Sequence, residues 1–278
     1  MTVILEGEDV RLSYFVAGEG TPVTLLHGFT QSGRSWLEII SKMPEGWMWI
    51  VPDLRGHGET RTRPGAPCSM DACTRDLQML WDHLGVARTH LVGYSMGGRL
   101  ALHVAARQPE RTLSLLTIGA HAGLEEGARE GRRRGDEALA QRIEQEGLEA
   151  FVNHWSSLPL FAGMERRGPA FVAQARAERM TNHVAGLACS LRGMGAGVME
   201  PLWDEVSTLS VPCTFVAGQL DHGYVTSARR LASTVPNGRV EVVPRAGHTV
   251  HQERPEAFAR LLAAHLAAAT ALSSSTSA

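Results

Sequence analysis

Short apolar runs alternate with amphipathic stretches in the first 120 residues of the chain. Residues 10–17 alternate apolar and polar side chains, which predicts an antiparallel strand paired with residues 2–6. Further apolar runs predict buried strands at 22–26, 47–51, 89–92 and 113–118. Residues 70–84 have apolar positions at helical spacing. Strands that alternate with helices at this pace indicate an α/β fold with a mostly parallel, doubly wound sheet.

The alternation breaks between residues 121 and 200. This segment has no buried-strand pattern and predicts helices at 137–146, 148–155, 165–180 and 184–194. Strands at 213–217 and 239–243 then resume the alternation. We therefore predict a core of residues 1–120 and 201–268, with a helical cap of residues 121–200 inserted after the sixth strand. Residues 269–278 are rich in Ala, Ser and Thr, which predicts a disordered tail.

One serine stands at the junction of a predicted strand and a predicted helix. Ser95 is bracketed as Gly93-x-Ser95-x-Gly97, directly after the apolar run 89–92. In this context G-x-S-x-G forms a nucleophile elbow, a tight turn that lifts the serine hydroxyl above the sheet edge at the N-terminus of a helix. The pattern alone is also compatible with an ordinary glycine-rich turn, so its meaning depends on partners elsewhere.

Two later segments supply the partners that such a serine needs. Asp221 follows the predicted strand 213–217, and His248 lies in the loop after the last predicted strand. A serine hydroxyl becomes reactive when an imidazole takes its proton and a carboxylate orients the imidazole. The chain order Ser95, Asp221, His248 is that of an α/β-hydrolase fold and predicts a catalytic triad. Taken singly, Asp221 is also a reasonable helix N-cap and His248 a reasonable surface histidine.

The predicted oxyanion hole is made of main-chain groups. We expect the N–H groups of Phe29, in the loop after the third strand, and of Met96, next to the nucleophile, to stabilise developing negative charge. His27 and His57 are expected to brace their loops through hydrogen bonds. His251 is expected to be a structural neighbour of the triad.

Composition and charge exclude several classes of function. The 278-residue chain has a formal net charge of -2, which argues against nucleic acid or an anionic membrane as a main partner. No apolar run approaches the roughly 18–20 residues of a membrane span. The N-terminus lacks a signal-peptide pattern and the four cysteines are scattered, so a cytoplasmic protein is expected. No motif for a metal, a phosphate or a dinucleotide is present, so no cofactor is expected; the oligomeric state stays open.

The triad and its order resemble the α/β-hydrolase superfamily over nearly the whole chain. Within that superfamily, the predicted cap resembles the 2-succinyl-6-hydroxy-2,4-cyclohexadiene-1-carboxylate (SHCHC) synthases of menaquinone biosynthesis. The stretches that carry this resemblance are 132–140 (RRRGDEALA), 155–161 (WSSLPLF), 179–182 (RMTN) and 186–195 (GLACSLRGMG). Tyr94 and Arg99, on either side of the nucleophile, fit the same family.

The resemblance implies a lyase whose triad acts as a base. The family substrate is a small cyclohexene that bears succinyl, ring-carboxylate and enolpyruvyl groups, and pyruvate is eliminated from it. Because a guanidinium fork suits carboxylates, cationic partners for such a polycarboxylate are expected to be arginines. The residues implied to bind substrate are Tyr94, Arg99, Arg132, Trp155, Phe161 and Arg179. Arg132 is preferred to Arg133 by its spacing to Asp136 and Trp155.

Three classes of function therefore stand side by side. A carboxylesterase with a Ser95 acyl-enzyme is the chief alternative to the lyase, since the fold and the triad host many reactions. The arginines of the cap favour the lyase, because a simple esterase more often has an apolar cap. A silent ligand-binding receptor is a third alternative, and the intact triad argues against it. The roles of His121, Arg133 and Arg134 stay open.

Overall fold

The computed structural model describes residues 2–275, with side chains described for residues 2–272. Its strands are β1 (Val3–Glu6), β2 (Val10–Ala17), β3 (Thr21–Leu26), β4 (Trp47–Pro52), β5 (Arg61–Thr62), β6 (Thr89–Tyr94), β7 (Thr112–Ile118), β8 (Cys213–Gly218) and β9 (Gly238–Val243). In the described residues they form one sheet in the order β1-β2-β4-β3-β6-β7-β8-β9, and β5 pairs with β2. Strands β3, β4 and β6–β9 run parallel, while β1, β2 and β5 pair antiparallel. The predicted mostly parallel sheet is confirmed.

Helices cover both faces of this sheet. They are α1 (Leu37–Ile40), α2 (Met70–His83), α3 (Met96–Arg107), α4 (Glu126–Ser156), α5 (Pro169–Arg179), α6 (Val184–Met194), α7 (Trp203–Val206), α8 (His222–Thr234), α9 (Val250–Glu253) and α10 (Pro255–Ser275). One hydrophobic core packs α2, α3 and α8 on one face of the sheet. A second core packs α10 and the short helical segment around Trp36 on the other face. The burial of both faces explains why the central strands are mostly apolar on both faces rather than alternating.

The segment predicted as a cap consists of α4, a 3₁₀ helix (Pro159–Arg167), α5 and α6. It follows β7 rather than a sixth strand, because the two-residue β5 is too short to leave a pattern in the sequence. Helix α4 is interrupted at Gly147 (φ 81°), which corresponds to the boundary between the two predicted helices at 137–146 and 148–155. The predicted helix at 165–180 is wrong in extent. Gly168 (φ 86°) ends the 3₁₀ helix there, and a proline opens α5 at the next position.

The C-terminal prediction needs a correction. Helix α10 continues to Ser275, so residues 269–275 are helical rather than disordered. Alanine is the strongest helix former, and Ala269 is fully buried against the core, so the helix gains both propensity and packing there. Residues 276–278 of the predicted tail lie outside the described residues. None of the described helices is long and apolar enough to cross a bilayer.

Candidate active site

Ser95 occupies a strained turn between β6 and α3. Its backbone has φ 52° and ψ -109°, a region that a non-glycine residue rarely adopts, and its N–H donates to Ile118 O at 2.8 Å. A Cβ at Gly93 would lie 2.3 Å from Gly97 O, and a Cβ at Gly97 would lie 2.3 Å from Leu26 O. The two glycines are therefore required by the close approach of backbone to backbone. This geometry is that of a nucleophile elbow.

The three side chains of the predicted triad meet above the carboxyl edge of the sheet. Ser95 follows β6, Asp221 follows β8, and His248 follows β9. His248 Nε2 lies 3.0 Å from Ser95 Oγ, and His248 Nδ1 lies 2.7 Å from Asp221 Oδ2. Because an ionised carboxylate only accepts, Nδ1–H donates to Asp221 and Nε2 is left to accept the serine proton. The arrangement can generate a reactive serine oxygen.

Aromatic rings enclose the imidazole of His248, which is only 4% exposed. Tyr94 packs against it with ring centroids 5.3 Å apart, and Tyr224 packs against it at 4.6 Å. Sequence reasoning missed Tyr224. Its position in the first turn of α8, three residues after Asp221, was an available signal. The two tyrosines restrict the imidazole to the orientation that reaches both Ser95 and Asp221.

Of the two expected oxyanion donors, Met96 directly follows the nucleophile in the chain. Met96 is the first residue of α3, and the first N–H groups of a helix have no intrahelical acceptor. Phe29 lies in the loop after β3, and His27 braces this loop. His27 Nε2 accepts from the Leu54 N–H at 2.9 Å, and His27 Nδ1 donates to Gly28 O at 2.9 Å. Burial lowers the pKa of His27 to about 4, so its ring stays neutral and holds this tautomer.

The other histidines near the site are structural in their contacts. His57 Nδ1 lies 3.0 Å from Arg55 O, as expected of a residue that braces its loop, and burial lowers its pKa to about 3. His251 stacks on Trp36 with ring centroids 4.6 Å apart, and burial lowers its pKa to about 3 as well. Neither His57 nor His251 has a hydrogen bond to Ser95 among the bonds described, whereas His248 does.

Two of the predicted substrate arginines are buried. Arg99 is 8% exposed and donates from Nη1 to Met194 O at 2.7 Å. Arg179 is 4% exposed, and its guanidinium lies 4.9 Å from the centre of the Phe161 ring. Among the side chains described, neither forms an ion pair with a carboxylate. Burial lowers the pKa of both groups, that of Arg99 to about 10. A buried charge without a partner is unfavourable, so this region favours an anion.

Arg132 differs from these two arginines. Its side chain is half exposed, and its Nε donates to Asp136 Oδ1 at 2.8 Å, so it already has a carboxylate partner. It nevertheless lies close enough to contribute to the lowered pKa of His121, after burial and Arg99. Arg133 and Arg134 are more exposed and both pair with Glu130.

The predicted apolar wall belongs to a cluster of aromatic rings contributed by the cap and by the oxyanion loop. Trp155 lies 5.3 Å from Phe29 and 5.8 Å from Phe161, measured between ring centroids. The buried Nε1–H of Trp155 has no acceptor within the side chains and backbone described. It is therefore a buried donor without a protein acceptor. In the described part of the chain no group of three or more His, Cys, Asp or Glu residues is arranged to hold a metal ion.

Contacts between the cap and the catalytic loops were not predicted. Glu178 lies in the last turn of α5 and Asn182 lies just after this helix. Both form hydrogen bonds with the loop that carries Phe29. Asn182 lies in one of the stretches that resemble the SHCHC synthases, but its partner is 152 residues away in sequence. No local pattern encodes a contact of that kind.

Comparison with known proteins agrees with this geometry. A family profile described as alpha/beta hydrolase fold matches residues 21–255. The chain therefore belongs to the α/β-hydrolase-fold family, and it is an enzyme of that superfamily. The solved structure of MenH from S. aureus matches it with a TM-score of 0.87 at 30% identity, covering 92% of this chain and 98% of that chain. A thermophilic esterase from Thermogutta terrifontis, solved with malate bound, matches with a TM-score of 0.84 at 27% identity, covering 97% and 99%.

Sequence relatives narrow the class. The chain is 38% identical over 259 residues to a Bacillus subtilis (strain 168) protein named putative 2-succinyl-6-hydroxy-2,4-cyclohexadiene-1-carboxylate synthase, covering 91% of this chain and 94% of that protein. It is 30% identical over 246 residues to the synthase of that name from Enterobacter sp. (strain 638), covering 87% and 90%. The predicted resemblance to the SHCHC synthases is confirmed.

Proposed function

We propose that this protein is a cytoplasmic carbon–oxygen lyase of menaquinone biosynthesis. It eliminates pyruvate from 2-succinyl-5-enolpyruvyl-6-hydroxy-3-cyclohexene-1-carboxylate to give SHCHC. The names of the sequence relatives support the product. The catalytic roles of Ser95, Asp221 and His248 belong to this proposal, as do the substrate contacts below.

The observation that carries the proposal is the pair of buried arginines without carboxylate partners. A buried guanidinium that no protein carboxylate neutralises is expected to bind an anionic ligand, and this substrate has three carboxylates. Arg99 lies on α3 of the core and Arg179 on α5 of the cap, so the two are expected to bind different carboxylates of the substrate. Arg132 is half exposed and would serve the third, and the Trp155 Nε1–H would add a neutral donor.

In the proposed reaction the triad acts as a base. Ser95 Oγ, whose proton passes to His248 Nε2, removes the hydrogen on the carbon next to the succinyl ketone. The electron pair of that C–H bond forms an enolate, and the N–H groups of Phe29 and Met96 stabilise its oxygen. Collapse of the enolate forms a double bond between ring carbons 2 and 3 and moves the existing ring double bond from carbons 3 and 4 to carbons 4 and 5. This shift breaks the bond between carbon 5 and the enolpyruvyl oxygen. The leaving group is the enolate of pyruvate; protonation of its methylene carbon gives pyruvate, and the proton that His248 received balances this step and restores the triad. No acyl-enzyme is needed. Tyr94 and Phe161 complete the site around Arg179.

The test is to measure pyruvate release beside hydrolysis of a neutral aryl ester. We expect the purified protein to release pyruvate from the enolpyruvyl substrate. We expect Arg179→Ala to lower kcat/KM for this reaction by about 10- to 150-fold, the loss of one charged hydrogen-bonding partner, and to change ester hydrolysis much less. Arg134→Ala, which removes an exposed arginine paired with Glu130, is the matched control and should change neither reaction. Rapid ester turnover without pyruvate would overturn the lyase assignment.

The alternative function is a carboxylesterase that forms a Ser95 acyl-enzyme. The structural match to an esterase at 27% identity supports this alternative. An acyl-enzyme would give a burst of product followed by slower turnover, whereas the lyase reaction passes through no covalent intermediate. Mass spectrometry of the intact protein during turnover of each substrate therefore separates the two.

A further inference from the structure

The loop that carries the predicted oxyanion donor Phe29 contains a strained residue. Thr30, which follows Phe29, has φ 69°, in the left-handed region that β-branched residues avoid. Its side chain is fully buried, and its hydroxyl has no hydrogen-bond partner within the residues described. Strain of this kind persists only where surrounding contacts hold the backbone in place.

Two sets of contacts hold this backbone. Within the loop, the Gln31 N–H donates to Gly28 O at 3.1 Å and closes a turn around Phe29 and Thr30. The second set comes from the cap. Asn182 Nδ2 donates to Thr30 O at 2.7 Å and to Arg179 O at 2.9 Å, while Asn182 Oδ1 accepts from the Gly58 N–H at 3.0 Å. The Asn182 side chain is 3% exposed and all of its hydrogen-bonding groups have partners. It therefore ties a carbonyl of the oxyanion loop to the end of α5, and to the neighbouring loop at Gly58.

A second clamp lies two residues further along the same loop. Glu178 Oε1 accepts from both the N–H and the hydroxyl of Ser32, at 2.9 Å each. Ser32 is 2% exposed, so these charge-assisted bonds are shielded from water. Residues 178–182 of the cap thus hold the oxyanion loop at Thr30 and at Ser32. The same turn carries Arg179, which faces the aromatic wall.

We propose that Asn182 is a positioning residue for the oxyanion hole. By holding the carbonyl of Thr30, it keeps this residue in its left-handed conformation and so fixes the direction of the preceding N–H group, that of Phe29. In this proposal the oxyanion hole is complete only when the cap is docked on the core. The inference rests on the roles proposed above for Ser95 and Phe29, and it is independent of whether the chemistry is elimination or ester hydrolysis.

The physical consequence is a specific rescue. When the hydrogen bond to its carbonyl is removed, only the contacts within the loop, such as the bond from the Gln31 N–H to Gly28 O, oppose the strain at Thr30. We then expect Thr30 to relax toward negative φ and the Phe29 N–H to turn away. Glycine adopts positive φ without strain, so Thr30→Gly removes the reason for the loop to relax. A residue that merely stabilises the cap would give no such rescue, because a glycine in the loop would weaken the protein further.

The experiment measures how fast an aryl or alkyl fluorophosphonate labels Ser95. Ser95 Oγ bonds to phosphorus, fluoride leaves, the serine proton passes to His248, and the phosphoryl oxygen lies where the oxyanion would lie. We expect Asn182→Ala to slow labelling by about 10- to 100-fold, within the range for an impaired oxyanion donor. Asn182→Asp, which keeps the shape and the acceptor for Gly58 but loses the donor to Thr30, should have a similar effect. It serves as the second variant if the alanine variant does not fold.

The double variants Thr30→Gly/Asn182→Ala and Thr30→Gly/Asn182→Asp are the decisive arms. We expect each to label within about three-fold of the wild type, since glycine needs no clamp to hold a positive φ. Thr181→Ala is the control. Thr181 is exposed and donates only to Glu178 O among the bonds described, so its loss should leave labelling unchanged.

Two outcomes would overturn the proposal: wild-type labelling rates in both Asn182 variants, or slow labelling that Thr30→Gly does not restore. Failure of Ser95 in the wild type to react would overturn it as well. The proposed lyase function fails separately. Wild-type protein that labels at Ser95 and shows the rescue, but releases no pyruvate, would remove the lyase assignment and leave the role of Asn182 standing.

Discussion

Two buried arginine sites in this molecule contrast in their partners. Arg55, in the core, is 2% exposed and bonds to two carboxylates: its Nε donates to Asp76 at 2.5 Å and its Nη2 donates to Asp9 at 2.5 Å. Burial alone would lower the pKa of Arg55, but the hydrogen bonds with Asp76 and Asp9 raise it above its ordinary value. Arg99 and Arg179 are buried almost as deeply without an ion-pair partner among the side chains described, and burial lowers the pKa of both.

The contrast teaches how burial of the same residue type serves structure or binding. A buried guanidinium surrounded by carboxylates is neutralised within the fold, and its removal leaves unpaired negative charge. A buried guanidinium without such partners makes the ligand-free protein less stable than it would otherwise be, and a bound anion removes that penalty. The number of buried arginines therefore does not identify a binding site, whereas the presence or absence of carboxylates around each one separates a structural site from a candidate binding site.

The largest expected effect is at the paired site. Arg55→Met should lower the free energy of unfolding by about 3–5 kcal/mol, because Asp76 and Asp9 lose their shared counter-charge inside the protein. Chemical denaturation followed by circular dichroism measures this change. Arg134→Met, at an exposed salt bridge, is the control and should change stability by less than about 1 kcal/mol. Equal effects of the two substitutions would remove the distinction between the sites.

At the site of Arg99 and Arg179, we expect an anionic ligand to raise the stability of the protein. We expect citrate, a tricarboxylate, at 100 times its Kd to raise the free energy of unfolding by about 2.7 kcal/mol. Arg179→Met should abolish that stabilisation at the same citrate concentration, while the ligand-free variant should be at least as stable as the wild type. Thermal shift with and without citrate tests both statements. Loss of stability in ligand-free Arg179→Met would show that the arginine has a structural partner after all.

A smaller effect should appear with pH, because burial lowers the pKa of His27, His57 and His251. The folded-state pKa of His251 is lowered to about 3, below its ordinary 6.5, so its contribution to stability is fully present above pH 6.5 and is lost as pH falls toward 3. Between pH 7 and 5.5 this loss amounts to about 1 kcal/mol for one such histidine. His251→Phe should lose correspondingly less stability over that interval.

Much of the fold followed from the sequence because its elements are strongly patterned. The apolar runs marked the central strands, and the glycines around Ser95 marked the elbow. The predictions of secondary structure were wrong where an element was too short to leave a pattern, or where composition indicated disorder in a segment that is helical. The two residues of β5 pair with β2 through tertiary contact alone. The content of Ala, Ser and Thr in residues 269–275 predicts disorder, yet alanine propensity and the packing of Ala269 continue the last helix.

Some residues of the candidate site could likewise be predicted from the sequence, and others could not. Ser95, Asp221 and His248 were found because each follows a strand, and the carboxyl ends of parallel strands lie at one edge of the sheet. The choice of substrate arginines depended on resemblance, and the structure separates them by burial: Arg99 and Arg179 lie inside, while Arg132 is half exposed and already paired. Nothing in the local sequence reports which arginine lacks a partner.

The sequence by itself determined the sheet, the elbow and the order of the three catalytic candidates, since periodicity, glycine placement and strand succession are local properties of the chain. Only the tertiary structure decided which guanidiniums are buried without ion-pair partners, how Tyr224 packs against His248, and that Asn182 holds the strained Thr30. These features join residues far apart in sequence. They exist only once the cap has docked on the core, because burial and hydrogen-bond partners are properties of the packed molecule.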